Sequence, residues 1–199
     1  MLILKLLPAV IRSNKNFQNY LIAQIILAFG SMAVGFLLVY AIQRWHISDS
    51  QAASYGIAQL VTQSAANLAL GFLADRKGHK LVLEISIALS IASFIAALAA
   101  PDPNWFYLVF ALRGITSAGT FVSATSLPLE FSEPQDRPTY IGLASTLPGF
   151  AGAIAPMIAG GLAALTGYPF LFIASAALSL AAFGYLRWVV HEPRYHLKS

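Results

Sequence analysis

Arg113 stands well inside a run of residues that is otherwise apolar or small, the one charge so placed in the chain. A guanidinium there can hydrogen-bond a neighbouring helix or meet a polar group in a water-filled space. Steps of three and four from it reach Thr116 or Ser117, then Thr120 and Ser123, a polar stripe along one face of a helix. That stripe reads either as a lock inside a bundle or as a wall facing water. The remaining titratable groups sit elsewhere. Asp49, Asp75, Asp102, Glu130, Glu133, Asp136 and Glu192 fall between apolar runs, and Glu84 lies one turn into a run, four residues from Lys80, where an ion pair is expected. His46, His79, His191 and His196 also lie at run ends, and cysteine is absent. The pattern offers no nucleophile with its base, no metal-ligand cluster, no phosphate loop and no proton relay, so no catalytic residue, metal or cofactor is expected.

The elements that carry these residues follow from composition. The 199-residue chain is 58% hydrophobic and 10% charged, with mean hydropathy +0.70, where a soluble domain carries about 25% charged residues. A soluble core of this size cannot hide so much apolar surface. The net charge of +4 does not point to nucleic acid, because the cations flank apolar runs and form no basic face with interleaved aromatics. An all-α membrane protein is expected, one six-helix bundle over residues 1–199, with spans at about 17–42, 51–73, 81–100, 105–127, 139–165 and 170–190. Met1 to Ile11 is too short to span and reads as an interfacial segment, and Asp49 or Ser50 is the expected cap of the second span. Pro101-Asp102-Pro103-Asn104 and Thr166-Gly167-Tyr168-Pro169 are tight turns.

Lys5, Arg12, Lys15, Arg76, Lys77, Lys80, Arg137, Arg187, Arg194 and Lys198 would then share one side, opposite Arg44. The positive-inside rule places that side, with both termini, in the cytoplasm, and the plasma (inner) membrane is the expected location. Trp45, Trp105, Tyr107 and Tyr168 at one level, with Tyr140, Trp188 and Tyr195 at the other, read as interfacial anchors. Tyr55, Gln59, Gln63 and Asn67 recur every four residues in the second span, and Gln24 and Ser31 lie seven apart in the first. Such amides hydrogen-bond between helices or touch a solute.

The charged junction Gly71-Phe72-Leu73-Ala74-Asp75-Arg76-Lys77-Gly78-His79-Lys80 is the most specific stretch in the chain. Gly71 and Gly78 bracket it where a sharp turn is expected. Its order resembles the loop signature of the major facilitator superfamily, between the second and third helices of a six-helix half. Arg113 upstream of Gly119 is similar to that family's fourth-helix pattern, with Gly114 as a departure, and Gly152-x-x-Ala155-Pro156-x-x-x-Gly160-Gly161 to its fifth-helix glycine-proline signature, with alanine where glycine is usual. Gly152, Pro156, Gly160 and Gly161 are accordingly expected at a close helix contact.

The resemblance implies a secondary transporter working by alternating access, of which the chain corresponds to the C-terminal half. Leu6-Leu7-Pro8 and Asn16-Phe17-x-x-Tyr20 resemble the entry to the C-terminal half. The implied partners are lipid, a small solute, and a second six-helix half or a second copy. Gln24, Ser31, Arg113, Ser117 and Thr120 would line the cavity, and in the loop motif of Gly71, Asp75, Arg76, Gly78 and Lys80 the positions Asp75, Arg76 and Gly78 would fasten the cytoplasmic ends of two halves. A homodimerising half-transporter and a non-transporting scaffold or assembly protein are the alternatives.

Overall fold

In the computed structural model, residues 14–192 are described. The interfacial segment and the cations expected at Lys5, Arg12, Arg194 and Lys198 lie outside them. The described residues form helices only: α1 (Lys15–Gly30), α2 (Phe36–Trp45), α3 (Asp49–Lys77), α4 (His79–Ala99), α5 (Trp105–Glu130), α6 (Arg137–Thr166) and α7 (Tyr168–Val189). Five of these, α3 to α7, are long and apolar enough to cross a membrane.

The expected first span is divided. Between α1 and α2 the backbone tightens, with Met32, Val34, Phe36 and Leu37 amides donating to carbonyls three residues back, the hydrogen-bond pattern of a 3₁₀ helix. Packing supplies the reason. A Cβ at Gly30 would lie 2.6 Å from Ser179 Oγ and 2.9 Å from Ser179 N, so α1 and α7 approach there as only glycine permits.

The junctions are shorter than turn chemistry alone suggests. Gly78 is the single residue between α3 and α4, at φ +102°, and Gly167 plays the same part between α6 and α7 at φ +83°. Left-handed backbone at these two positions reverses the chain at little steric cost. Gly71, expected to bracket the first of them, is instead inside α3 with open space where its side chain would be. The cap of α3 is Ser48, whose Oγ accepts from Gln51 N at 3.3 Å, rather than Asp49 or Ser50.

Helix α3 packs on α5, α5 on α4, α4 on α7, and α7 on α1, which also meets α6. At the end carrying the 100–104 turn, Tyr40, Tyr55, Phe106 and Phe172 are buried together, with Tyr55 Oη donating to the Pro103 carbonyl at 2.6 Å. Arg44 covers the Trp45 ring at 4.8 Å from its centroid, a cation–π contact at the rim. The opposite, basic end is closed by Phe17, Tyr20, Phe131 and Tyr140, with Phe17 and Tyr140 centroids 4.3 Å apart. There the Asn16 amide donates to the His191 carbonyl and accepts from its N–H, both at 2.8 Å, tying the start of α1 to the end of α7.

Glu84 joins α4 to α7 at this end. Its carboxylate meets Lys80 at 3.4 Å, as the four-residue spacing predicts, and also Arg187 at 2.7 Å. The second contact spans 103 positions of sequence and has no local signal. Glu84 and Lys80 are largely shielded while Arg187 is half exposed, so most of the energy resides in the inner pair. Glu84→Gln is expected to destabilise the chain by roughly 1–3 kcal/mol, by leaving Lys80 uncompensated, and Arg187→Ala by less than about 1 kcal/mol. Thermal unfolding in mild detergent checks the order of the two.

Candidate functional site

A cavity of about 500 Å³ opens between α1, α3, α4, α5 and α6. Gln24 and Ser31 reach it from the first span, Ser31 being the residue at which α1 gives way to the tightened backbone. Gln63 faces it from α3, Ser86 and Ser90 from α4, and Arg113, Thr116, Ser117 and Thr120 from α5. Leu27, Ile87 and Phe121 supply apolar wall. The five residues expected to line a cavity are thus brought onto one.

Arg113 is 8% exposed. Its Nη1 donates to Ser90 Oγ at 2.8 Å, and its Nε is buried with no hydrogen-bond partner. An unpaired buried N–H costs about 1–3 kcal/mol. The guanidinium is held to α4 by one bond, therefore, with donor capacity to spare. Gln24 is oriented by its own helix, donating from Nε2 to Tyr20 Oη at 2.9 Å. Thr116 Oγ1 donates back to the Leu112 carbonyl at 3.0 Å and Ser86 Oγ to Val82 at 2.8 Å, so these hydroxyls are satisfied locally and still present lone pairs to the cavity.

Two stripes read from the sequence are only partly on the cavity. Ser123 is fully buried and donates to the His79 carbonyl at 3.1 Å, which fastens α5 to the start of α4. Of Tyr55, Gln59, Gln63 and Asn67, Gln63 alone lines the cavity. Steps of four residues overshoot each helical turn, and over these three steps the face rotates by about 120°. Tyr55 therefore serves the 100–104 end, while Asn67 buries an Oδ1 without a partner.

Ser86, Ser90 and Ser93 on α4 carry no signal one by one, although their spacing of four and three in an apolar run places them on one face. Gly114 has a role that spacing did not reveal. A Cβ there would fall on Thr62 Oγ1 and on the Gln59 carbonyl, so it sets the closest approach of α5 to α3. Gly119 makes room for the Ser86 side chain of α4.

The charged junction lies at the basic end, away from the cavity. Asp75, Arg76 and Lys77 form the exposed last turn of α3, with the Arg76 guanidinium 4.0 Å from the centroid of the Phe72 ring. Gly78 and His79 are buried, and Lys80 is engaged with Glu84. Gly78 is constrained twice, by its positive φ and by the Glu192 carboxylate, whose Oε1 lies 2.8 Å from where a Cβ would stand. In the α6 signature Ala155 is buried in the core, but its glycines and proline pack on little within the chain. Gly152 and Gly161 face open space, Pro156 is exposed, and a Cβ on Gly160 would come no nearer than 3.9 Å, to Phe36 Cζ.

The sequence matches the model of the Major Facilitator Superfamily over residues 20–199. It is 25% identical over 139 residues to the thioclapurine efflux transporter tcpA of Claviceps purpurea, covering 70% of this chain and 26% of that protein. It is 28% identical over 126 residues to an uncharacterized transporter of the same type from Schizosaccharomyces pombe, covering 62% and 21%. The chain thus spans about a quarter of the length of these two relatives. A protein of Geobacillus stearothermophilus encoded in the sodM 3' region is 29% identical over 132 residues, 63% of this chain and 62% of its own length. The relatives whose names carry a function are transporters and not enzymes.

Proposed function

Because the chain belongs to the Major Facilitator Superfamily, we propose that it is one six-helix half of a secondary transporter, whose central cavity carries a small solute by alternating access. In this reading α1 and α2 together make the first of six spans, with α3 to α7 as the other five. The observation that supports it best is the convergence of Gln24, Ser31, Gln63, Arg113, Ser117 and Thr120 from separate helices on one cavity. Polar side chains at that depth are costly unless they face water, solute or one another.

A second six-helix body, from another chain or another copy, completes the assembly. Supporting this are the outward faces of α3 and α6, where Leu68, Phe72, Phe150, Met157 and Leu165 are all more than half exposed. The small residues of α6 beside them suit the approach of another helix. By the lysine and arginine asymmetry both termini lie on the cytoplasmic side, and Asp75 and Arg76 at the end of α3 help fasten the two bodies there.

Single cysteines test this cleanly, as the chain has none of its own. Cysteines at Ser31 and Thr120 should react with water-soluble thiol reagents despite their depth, whereas those at Leu68 and Leu165 should not. In intact cells, Ser50→Cys and Asp102→Cys should label from outside, and Lys77→Cys and Gln135→Cys only after permeabilisation. Unreactive cysteines at both cavity positions would remove the solute path, and external labelling at Lys77 would invert the topology.

A further inference from the structure

The cavity carries a positive charge that the chain does not balance. Its eight carboxylates are all at helix ends or in connections: Asp49 and Asp102 at one end, and Asp75, Glu84, Glu130, Glu133, Asp136 and Glu192 at the other. Lys80 and Arg187 both pair with Glu84, and Arg113 takes no part in either ion pair. Its one hydrogen bond is to a neutral hydroxyl, its Nε is buried and unpaired, and the polar groups beside it in the cavity are uncharged amides and hydroxyls.

From this geometry we infer that the cavity binds a small organic anion, its carboxylate, phosphate or sulfonate seated on the Arg113 guanidinium. The inference rests on the transport reading of the same cavity and adds the class of solute. A guanidinium has five N–H donors in a planar fork that fits such oxyanions, and Ser90 occupies one nitrogen, Nη1. A charge buried without a counter-charge in a low-dielectric setting is expensive. The solute supplies the missing charge, Ser117 and Thr120, one turn and two turns along α5, supply further donors, and Leu27, Ile87 and Phe121 provide an apolar wall for its carbon body. A cation would meet the guanidinium with no carboxylate to offset it, and is excluded on the same grounds.

The test uses the full chain in native membranes, with Ser117→Cys or Thr120→Cys introduced separately. Rates of modification are compared for an anionic reagent, sulfonatoethyl methanethiosulfonate, and its cationic trimethylammonioethyl counterpart, each relative to 2-mercaptoethanol in solution. The anionic reagent should be favoured by about tenfold or more at the cavity. Arg113→Gln should abolish the preference and Arg113→Lys should keep it. Millimolar benzoate should slow labelling in the arginine background, while benzamide and benzylamine should not. Cysteines that react with both reagents without preference would overturn the inference and leave the transport cavity standing, whereas cysteines that react with neither would overturn the cavity itself. A preference without protection by benzoate would refute the seat on Arg113, as would its disappearance in membranes holding the complete assembly, where a partner's carboxylate would then occupy it. The preference and the protection are read with Arg113 in place, so the outcome does not depend on the arginine variants folding.

Discussion

Arg113→Leu should lower transport by the complete assembly ten- to a hundredfold, measured as uptake or efflux in cells expressing it, while the amount of chain in the membrane stays equal or rises. The two effects have separate origins. Removing a cation from the middle of a span relieves an insertion penalty of roughly 2.5–3.5 kcal/mol on translocon scales, and leucine is at least as good a helix former. Losing a charge-assisted hydrogen bond to a solute costs about 1.5–3 kcal/mol, which is the fall expected in flux at low solute concentration. The bond to Ser90 is lost as well, and Ser90 then keeps a hydroxyl on the cavity wall. Undiminished transport in the leucine variant would reduce Arg113 to a packing residue between α4 and α5.

Gly114→Val should be among the most destabilising single substitutions in the chain, about 3 kcal/mol or more, at the upper end of the range for overpacking. The reason is what lies opposite. A flexible side chain could turn away, but a Cβ at this position meets the Gln59 carbonyl as well as Thr62 Oγ1, and backbone gives way only if α3 and α5 separate. Their separation would unmake the cavity wall between Gln63 and Arg113 too. Gly152→Val is the contrasting case, because nothing stands within 4 Å of its Cβ position. It should leave the melting temperature of the purified chain unchanged yet weaken association with a second six-helix body. Equal melting temperatures for Gly114→Val and the parent chain would show that the α3–α5 contact is looser than the structure has it, and undisturbed association of Gly152→Val would separate α6 from the interface.

Five of the long helices could be located from sequence because prolines, glycines and charges punctuate apolar runs of membrane length. The division between α1 and α2 could not, since it arises where Gly30 lies against Ser179, a contact between residues 149 positions apart in the chain. Gly114 shows the same limit from another side. Beside Arg113 it looked like a departure from a family pattern, and only the neighbouring helix explains it. The cavity candidates were legible because helical spacing groups residues of one helix by face. Ser90, the hydrogen-bond partner of Arg113, is a serine among many until α4 is set beside α5. Ser123, conversely, shares the spacing of the cavity stripe and was drawn out of it by the His79 carbonyl.

Helix length adds a last consequence. Helices α4 and α7, of 21 and 22 residues, are about 32 Å long and match a hydrocarbon layer of about 30 Å when nearly upright. Helices α3 and α6, of 29 and 30 residues, reach about 44 Å. They must lean or protrude into the headgroups, and they are also the two helices with the least of their surface covered by the rest of the chain. Bilayer thickness therefore acts on them more than on their shorter neighbours. A thicker bilayer would draw α3 and α6 upright and a thinner one would tilt them, so the angle between the bundle and any companion on those faces is partly set by the lipid.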